Sequence, residues 1–132
     1  MTKANIKATF KSDIFKVWEV VTNNKEYGWR SDLSKIEVRD NGNVFIEYSK
    51  GGFETTFTIT RKDKAQRYEF DMKNKNMRGH WTGIFKKSAV GTEIDFTEEV
   101  TVNNPVMKLF AGMYLKKQQK QYIEDLKKAL GE

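Results

Sequence analysis

Two hydrophobic periods alternate along the chain, and the points where one gives way to the other mark its elements. Ile6, Ala8 and Phe10 alternate with Asn5, Lys7 and Thr9, the period of a strand with one buried face. Ile14, Val17, Trp18 and Val21 follow at helical spacing, with Ser12 as candidate N-cap and Asp13 suited to the first turn. Thr22-Asn23-Asn24 ends that helix. A second short helix or turn is expected around Lys25–Tyr27, and the stretch from Tyr27 to Leu33 reads mostly as loop.

From Ile36 the two-residue period returns as a meander. Closing a two-residue hairpin at Gly51-Gly52 pairs Tyr48 with Thr55, Ile46 with Phe57 and Val44 with Ile59. Turns around Lys62–Ala65, at Asn74-Lys75 and at Ala89-Val90 then pair Phe57 with Phe70, Tyr68 with Trp81, and Trp81 with Glu98. One inner face results: Val44, Ile46, Tyr48; Phe53, Thr55, Phe57, Ile59; Tyr68, Phe70, Met72; Met77, Trp81, Phe85; Ile94, Phe96, Val100, Val102. A slip of one residue in any hairpin would turn a strand's apolar set to solvent, so the agreement of the turns supports the meander. The other face sets Arg78 against Asp71, Lys86 against Glu93, and His80 between Glu69 and Glu99.

Asn103-Asn104-Pro105 opens a helix that runs to about Leu130, where Gly131 ends it. In its second half Tyr122, Ile123, Leu126, Ala129 and Leu130 form a stripe, with Lys120, Glu124, Lys127 and Lys128 outside it. In its first half Val106, Met107, Leu109, Phe110, Ala111, Met113, Tyr114 and Leu115 cover most of the circumference. Such a segment needs burial on more than one side, or a partner, ligand or membrane surface. Gly112 weakens the helix there and permits a bend.

Composition narrows the chemistry. The 132 residues make one domain, 1–132, and aromatic side chains are 13% of them, enough rings to line an interior. The absence of cysteine excludes disulfides and thiol nucleophiles, and a single histidine argues against a transition-metal site; no cofactor is implied. The net charge of +6 comes from lysines interleaved with acidic residues, without a nucleic-acid-reading motif. It reads as a solvated surface, with no nucleic acid partner. The first residues lack a signal-peptide apolar run and no segment reaches bilayer-spanning length, so a cytoplasmic protein without integral membrane association is expected.

The order strand, helix, loop, six-stranded meander and long terminal helix resembles the helix-grip fold of the START-related, polyketide-cyclase-like (SRPBCC) superfamily. The likeness covers the whole chain. It rests on Ile6–Phe10 with Val17-Trp18, the stretch Trp29-Arg30-Ser31-Asp32-Leu33 to Val38, Gly91-Thr92 before the last strand, and Asp125-Leu126-Lys127-Lys128. It implies an α+β fold: a seven-stranded curved antiparallel sheet wrapped around the C-terminal helix, with one or two short helices between strands 1 and 2. It also implies a cavity between sheet and helix for lipid-, polyketide- or hormone-like ligands. Binding modules and enzymes share this fold. Three functions therefore stand: carriage of a small hydrophobic ligand, catalysis of the cyclase or dehydratase type, and protein interaction as in the chaperone-activator relatives.

Within that frame Glu98 is the sharpest candidate, the one charged side chain on the inner face of the meander, opposite Trp81. A carboxylate there must be hydrogen-bonded, protonated or paired. It is either a polar anchor or proton acceptor for a ligand, or a strand-end group that reaches water, Tyr114 or a Trp N–H. As an enzyme, the protein would use Glu98 as acid or base, with Tyr48 or Tyr68 polarising a carbonyl. Tyr48, Tyr68, Trp81 and Tyr114 offer rings with polar tips, and Phe57, Phe70, Phe96 and Phe110 complete the expected lining. Trp29 lies in the loop that, by the resemblance, borders the entrance, as gate or as core plug. Arg30 with Asp32 reads as an exposed pair, or as a contact for an anionic head group at the entrance, and His80 as part of an outward charge ladder. Gly79 and Gly83 flank Trp81 and leave space for a ligand or for sheet curvature. The apolar helix start allows a monomer or a weak homodimer.

Overall fold

In the computed structural model, which describes residues 1–132, the alternating segments form one antiparallel sheet. Its strands are β1 (Thr2–Phe10), β2 (Leu33–Arg39), β3 (Val44–Ser49), β4 (Glu54–Asp63), β5 (Arg67–Lys73), β6 (Met77–Lys87) and β7 (Thr92–Val102). The order is β1-β7-β6-β5-β4-β3-β2, so the meander runs in from one edge and β1 closes beside the last strand. One helix, α1 (Ile14–Thr22), precedes β2, and α2 (Pro105–Ala129) follows β7. The segment Lys25–Tyr27 is turn and coil rather than a second helix.

The caps explain the helix limits. Asp13, not Ser12, caps α1: its carboxylate accepts from the Phe15 N–H at 2.9 Å. The Ser12 hydroxyl instead donates to Glu132 at 2.8 Å, tying the chain end to the β1–α1 corner. Asn104 caps α2, its side chain accepting from the Val106 N–H at 2.8 Å, with Pro105 as the first helical residue. Gly131, at φ +76°, supplies the left-handed residue just past the end.

Hairpin registers carry the main correction to the sequence reading. Ser49 pairs with Phe53 around a three-residue loop, Lys50-Gly51-Gly52, in which Gly52 has φ +82°. That is the loop in which a left-handed glycine follows a turn, rather than the two-residue closure expected at Gly51-Gly52. The pairing therefore shifts by one residue, Phe45 facing Phe57 and Glu47 facing Thr55. Phe45 and Glu47 point inward; Val44, Ile46 and Tyr48 occupy the other face. The β4–β5 and β5–β6 pairings slide by two residues, which keeps the expected face. In the first, a three-residue loop with Ala65 at φ +60° moves the pairing by three, and a bulge between Ile59 and Arg61 takes one back. In the second, the turn is Lys75-Asn76, so Asp71 faces His80 and Arg78 faces Lys73. The β6–β7 pairing, Trp81 with Glu98 and Phe85 with Ile94, is the one expected.

The sheet curves, and its concave side holds the core. α1 lays Val17 and Trp18 onto it, Trp18 meeting Tyr68 and Phe85 edge-on. α2 packs along β1 and β7 through Leu115, Ile123, Leu126 and Leu130, and the Gln119 amide donates to the Ala4 carbonyl at 3.1 Å.

Candidate functional site

The concave wall is a chain of touching rings. Phe45 stacks on Phe57 at 4.8 Å, Phe57 meets Phe70 edge-on at 5.2 Å, and Phe70 stacks on Trp81 at 4.8 Å. Trp81 leans on Phe96 at 4.7 Å, Phe96 meets Tyr122 of α2 at 6.0 Å, and Tyr122 meets Trp29 at 5.2 Å. The two glycines beside Trp81 serve this wall. A Cβ on Gly83 would lie 2.5 Å from the Trp81 ring, and one on Gly79 would strike the Glu99 backbone carbonyl. The space they leave is taken by the ring and by the neighbouring strand.

Burial along the wall is uneven, and this locates the accessible part. Toward α1, Tyr68, Phe85, Ile94 and Phe96 are fully buried. Toward the end from which α2 starts, Thr55, Met77, Trp81, Glu98 and Val102 stay partly accessible. Packing on the concave face is thus tightest toward α1 and looser where α2 starts, although Met72 and Val100 are buried there too.

Glu98 is one of the partly accessible residues. It pairs across the sheet with Trp81 and Ala4, and no protein group hydrogen-bonds to its carboxylate. Enclosure by the protein raises its pKa to about 7, the nearby Glu47 charge adds to this, and Arg30 offsets part of it.

The other enclosed charges all have partners. Arg30 reaches across to Glu47 with both terminal nitrogens at 3.4 Å and grips Asp32 at 3.0 Å. The Tyr122 ring lies 4.9 Å from its guanidinium carbon, within cation–π range. Burial disfavours the Arg30 charge, but Glu47 and Asp32 more than compensate and hold it protonated. For Glu47 burial wins over the Arg30 attraction and its carboxyl is pushed up. On α2, burial would raise the Asp125 carboxyl. Donation from the Ser31 N–H at 2.9 Å, the Ser31 hydroxyl at 2.7 Å and Gln121 at 3.0 Å holds it below its ordinary value. Burial also pushes the Tyr68 hydroxyl up to about 12, and Asn24 donates to it at 3.4 Å.

Of the residues expected to line a cavity, Phe57, Tyr68, Phe70, Trp81, Phe96 and Glu98 share the concave face, with Trp29 at its edge against Tyr122. Tyr48 does not join them. The one-residue shift puts it on the opposite face, where its hydroxyl donates to Glu37 at 3.1 Å and the Lys35 ammonium sits over its ring. Phe110 and Tyr114 are largely exposed, and the Tyr114 hydroxyl accepts from Gln118 rather than meeting Glu98. The Arg30–Asp32 pair is not a surface pair: the Arg30 side chain is 12% exposed, and its second partner is Glu47. Glu47 escaped the sequence reading because the assumed closure turned it outward; the glycine-rich loop was legible, but its length was not.

His80 faces outward as expected, Nδ1 to Asp71 at 2.6 Å and Nε2 to Glu69 at 2.8 Å. Partial burial works against its charge, but the two carboxylates prevail and raise its pKa. It borders an open surface depression of about 380 Å³ on the convex side, away from Glu98. No three His, Asp or Glu side chains converge so as to hold a metal ion.

No protein-family model matches this chain, and no curated protein matches it. Solved structures match it closely in backbone. A START superfamily protein from Mycobacterium smegmatis superposes with a TM-score of 0.83 at 8% identity, over 98% of this chain and 97% of that one. Protein MLL2253 from Mesorhizobium loti gives 0.80 at 15% identity, over 98% and 96%. DynU16, a protein of the dynemicin biosynthetic locus, gives 0.80 at 11% identity over 99% of this chain, which spans 48% of its length. The fold is therefore the helix-grip fold seen in START superfamily structures.

Proposed function

We propose that the protein binds a small, mostly apolar molecule carrying a hydrogen-bond donor at one end, held on the concave face against Trp81, Met77 and Val102 with Glu98 as its polar anchor. The observation that carries this reading is the contrast between Glu98 and its neighbours. Arg30, Glu47 and Asp125 are all paired, whereas the partly accessible carboxylate of Glu98 has no donor. A carboxylate held beside Trp81 at a cost in solvation is explained by a partner that arrives from outside. The partly accessible surfaces of Trp81, Met77 and Val102 supply apolar contact for the rest of such a ligand. The backbone likeness to a START superfamily protein agrees with a ligand-holding concavity. Binding is favoured over acid–base catalysis with Tyr48 or Tyr68 as the second group. Tyr48 is on the other face and Tyr68 is engaged by Asn24.

Tryptophan fluorescence tests this with three probes of one chain length, dodecylamine, dodecanol and dodecanoate. At neutral pH the amine and alcohol are expected to bind and alter the emission. The carboxylate should bind about tenfold more weakly, the worth of one charge-assisted hydrogen bond. Glu98→Gln is expected to erase that preference while leaving apolar binding in place. The reading fails if none of the probes changes the emission, or if Glu98→Gln leaves the order of affinities intact.

A further inference from the structure

The first half of α2 carries a surface that the concavity does not use. Val106, Leu109, Phe110 and Met113 lie on the side of the helix turned away from the buried stripe Ala111, Leu115, Gln119. They face water: Leu109 is 80% and Met113 72% exposed. The exposure is not the fraying of a loose end, because Asn104 caps the helix and Asn103 is tied to the β5–β6 turn through the Asn76 and Lys75 carbonyls. Adjacent large apolar side chains on one exposed face mark an interaction surface.

Charge says what kind. From Asn103 to Ile123 the chain holds Lys108, Lys116, Lys117 and Lys120 and no acidic residue. All four lysines are exposed, and the last three continue the apolar face along the helix. Lys75 on the adjoining turn is exposed as well. A second copy of the chain is disfavoured as the occupant. A two-fold contact would set lysine against lysine with no carboxylate on the patch to receive them. A surface that is apolar inside and anionic outside matches both properties at once.

We propose that this face of α2 docks the protein peripherally on an anionic lipid bilayer. Leu109, Phe110 and Met113 enter the headgroup boundary and the lysines meet lipid phosphates. No helix of the chain is long and apolar enough to cross a membrane, so the contact is one of lying on the surface. The inference does not depend on Glu98 or on any ligand in the concavity.

Co-sedimentation with vesicles tests it, comparing phosphatidylcholine alone with an equimolar mixture of phosphatidylcholine and phosphatidylglycerol. The wild type is expected to pellet with the mixed vesicles, to stay in solution with the neutral ones, and to be released by molar salt. Replacing Lys116, Lys117 and Lys120 by Gln should weaken binding about fivefold per lysine. Leu109→Ser with Met113→Ser should weaken it at least about tenfold, with unchanged circular dichroism because both side chains are exposed. Equal binding to both vesicle types, no binding to either, or indifference to the Leu109/Met113 pair would overturn the proposal. So would a homodimer in sedimentation velocity that the same two substitutions dissolve, since the face would then be covered by a second copy.

Discussion

At Glu98 two effects act in the same direction, enclosure among rings and the nearby charge of Glu47, and only Arg30 opposes them. The folded chain takes up a proton on Glu98 near pH 7, the unfolded chain near 4.5. Between those values the folded state binds more protons, so stability falls as pH rises through the interval and stays reduced above it. Glu98→Gln should therefore be more stable than wild type by on the order of 1–3 kcal/mol at about pH 8, and nearly equal to it at about pH 4. Thermal unfolding followed by circular dichroism across that range checks this; a difference that does not vary with pH would refute the ionised-carboxylate account. His80 also loses stabilising charge as pH rises, because Asp71 and Glu69 raise its pKa, but it does so equally in both proteins. The difference between them isolates Glu98.

On β3, the loop before β4 determines which side chains build the wall. A three-residue loop ending in left-handed Gly52 makes Phe45 and Glu47 the inward pair, and a two-residue loop would have made them the outward one. Phe45→Ala should therefore cost about 3–5 kcal/mol, the usual penalty for emptying an aromatic site in a core. Tyr48→Ala should cost less than about 1 kcal/mol, since its contacts are with Glu37 and Lys35 on the partly exposed face. Chemical denaturation of the two variants gives the answer directly. The opposite ranking would restore the two-residue closure and remove Glu47 from the site.

Taken as a whole, the molecule closes its concavity through contacts distant in sequence. The α1–β2 loop is pinned to β3 by Arg30 with Glu47, and to α2 by Ser31 with Asp125. Trp29 and Tyr122 meet between those two attachments. Asp125→Ala should free the loop at a cost of about 1–3 kcal/mol for the lost acceptor. Amide exchange of residues 24–32 should quicken, and Trp29 should shift toward a solvent-like emission. Because Asp125 is held below its ordinary value when folded, its contribution is full above that value and is lost as pH falls below it. The variant and wild type should therefore converge in acid. Unchanged exchange in residues 24–32 would show that Arg30 alone holds the loop.

Local rules sufficed for much of this. The periods of two and of 3.6 located the strands and both helices, with the start of β2 at Leu33 rather than Ile36. Asn104-Pro105 and Gly131 bounded α2, and parity preserved the inner face of β4 through β7 even where pairings slid by two residues. Glu98 was visible because one charge on an apolar face stands out by position alone. What the tertiary structure decided was everything that depends on an odd count or on distant segments meeting. A loop of three residues instead of two reversed the face of β3, and curvature brought β3, β7, α2 and the Arg30 loop to one place. The reason is that periodicity records which side of an element is apolar, whereas loop backbone conformation and sheet curvature set which elements that side confronts. Hence Arg30, read from its neighbour Asp32 as a surface pair, is a buried cation between Glu47 and Tyr122, and Glu98 is the charge left without a partner.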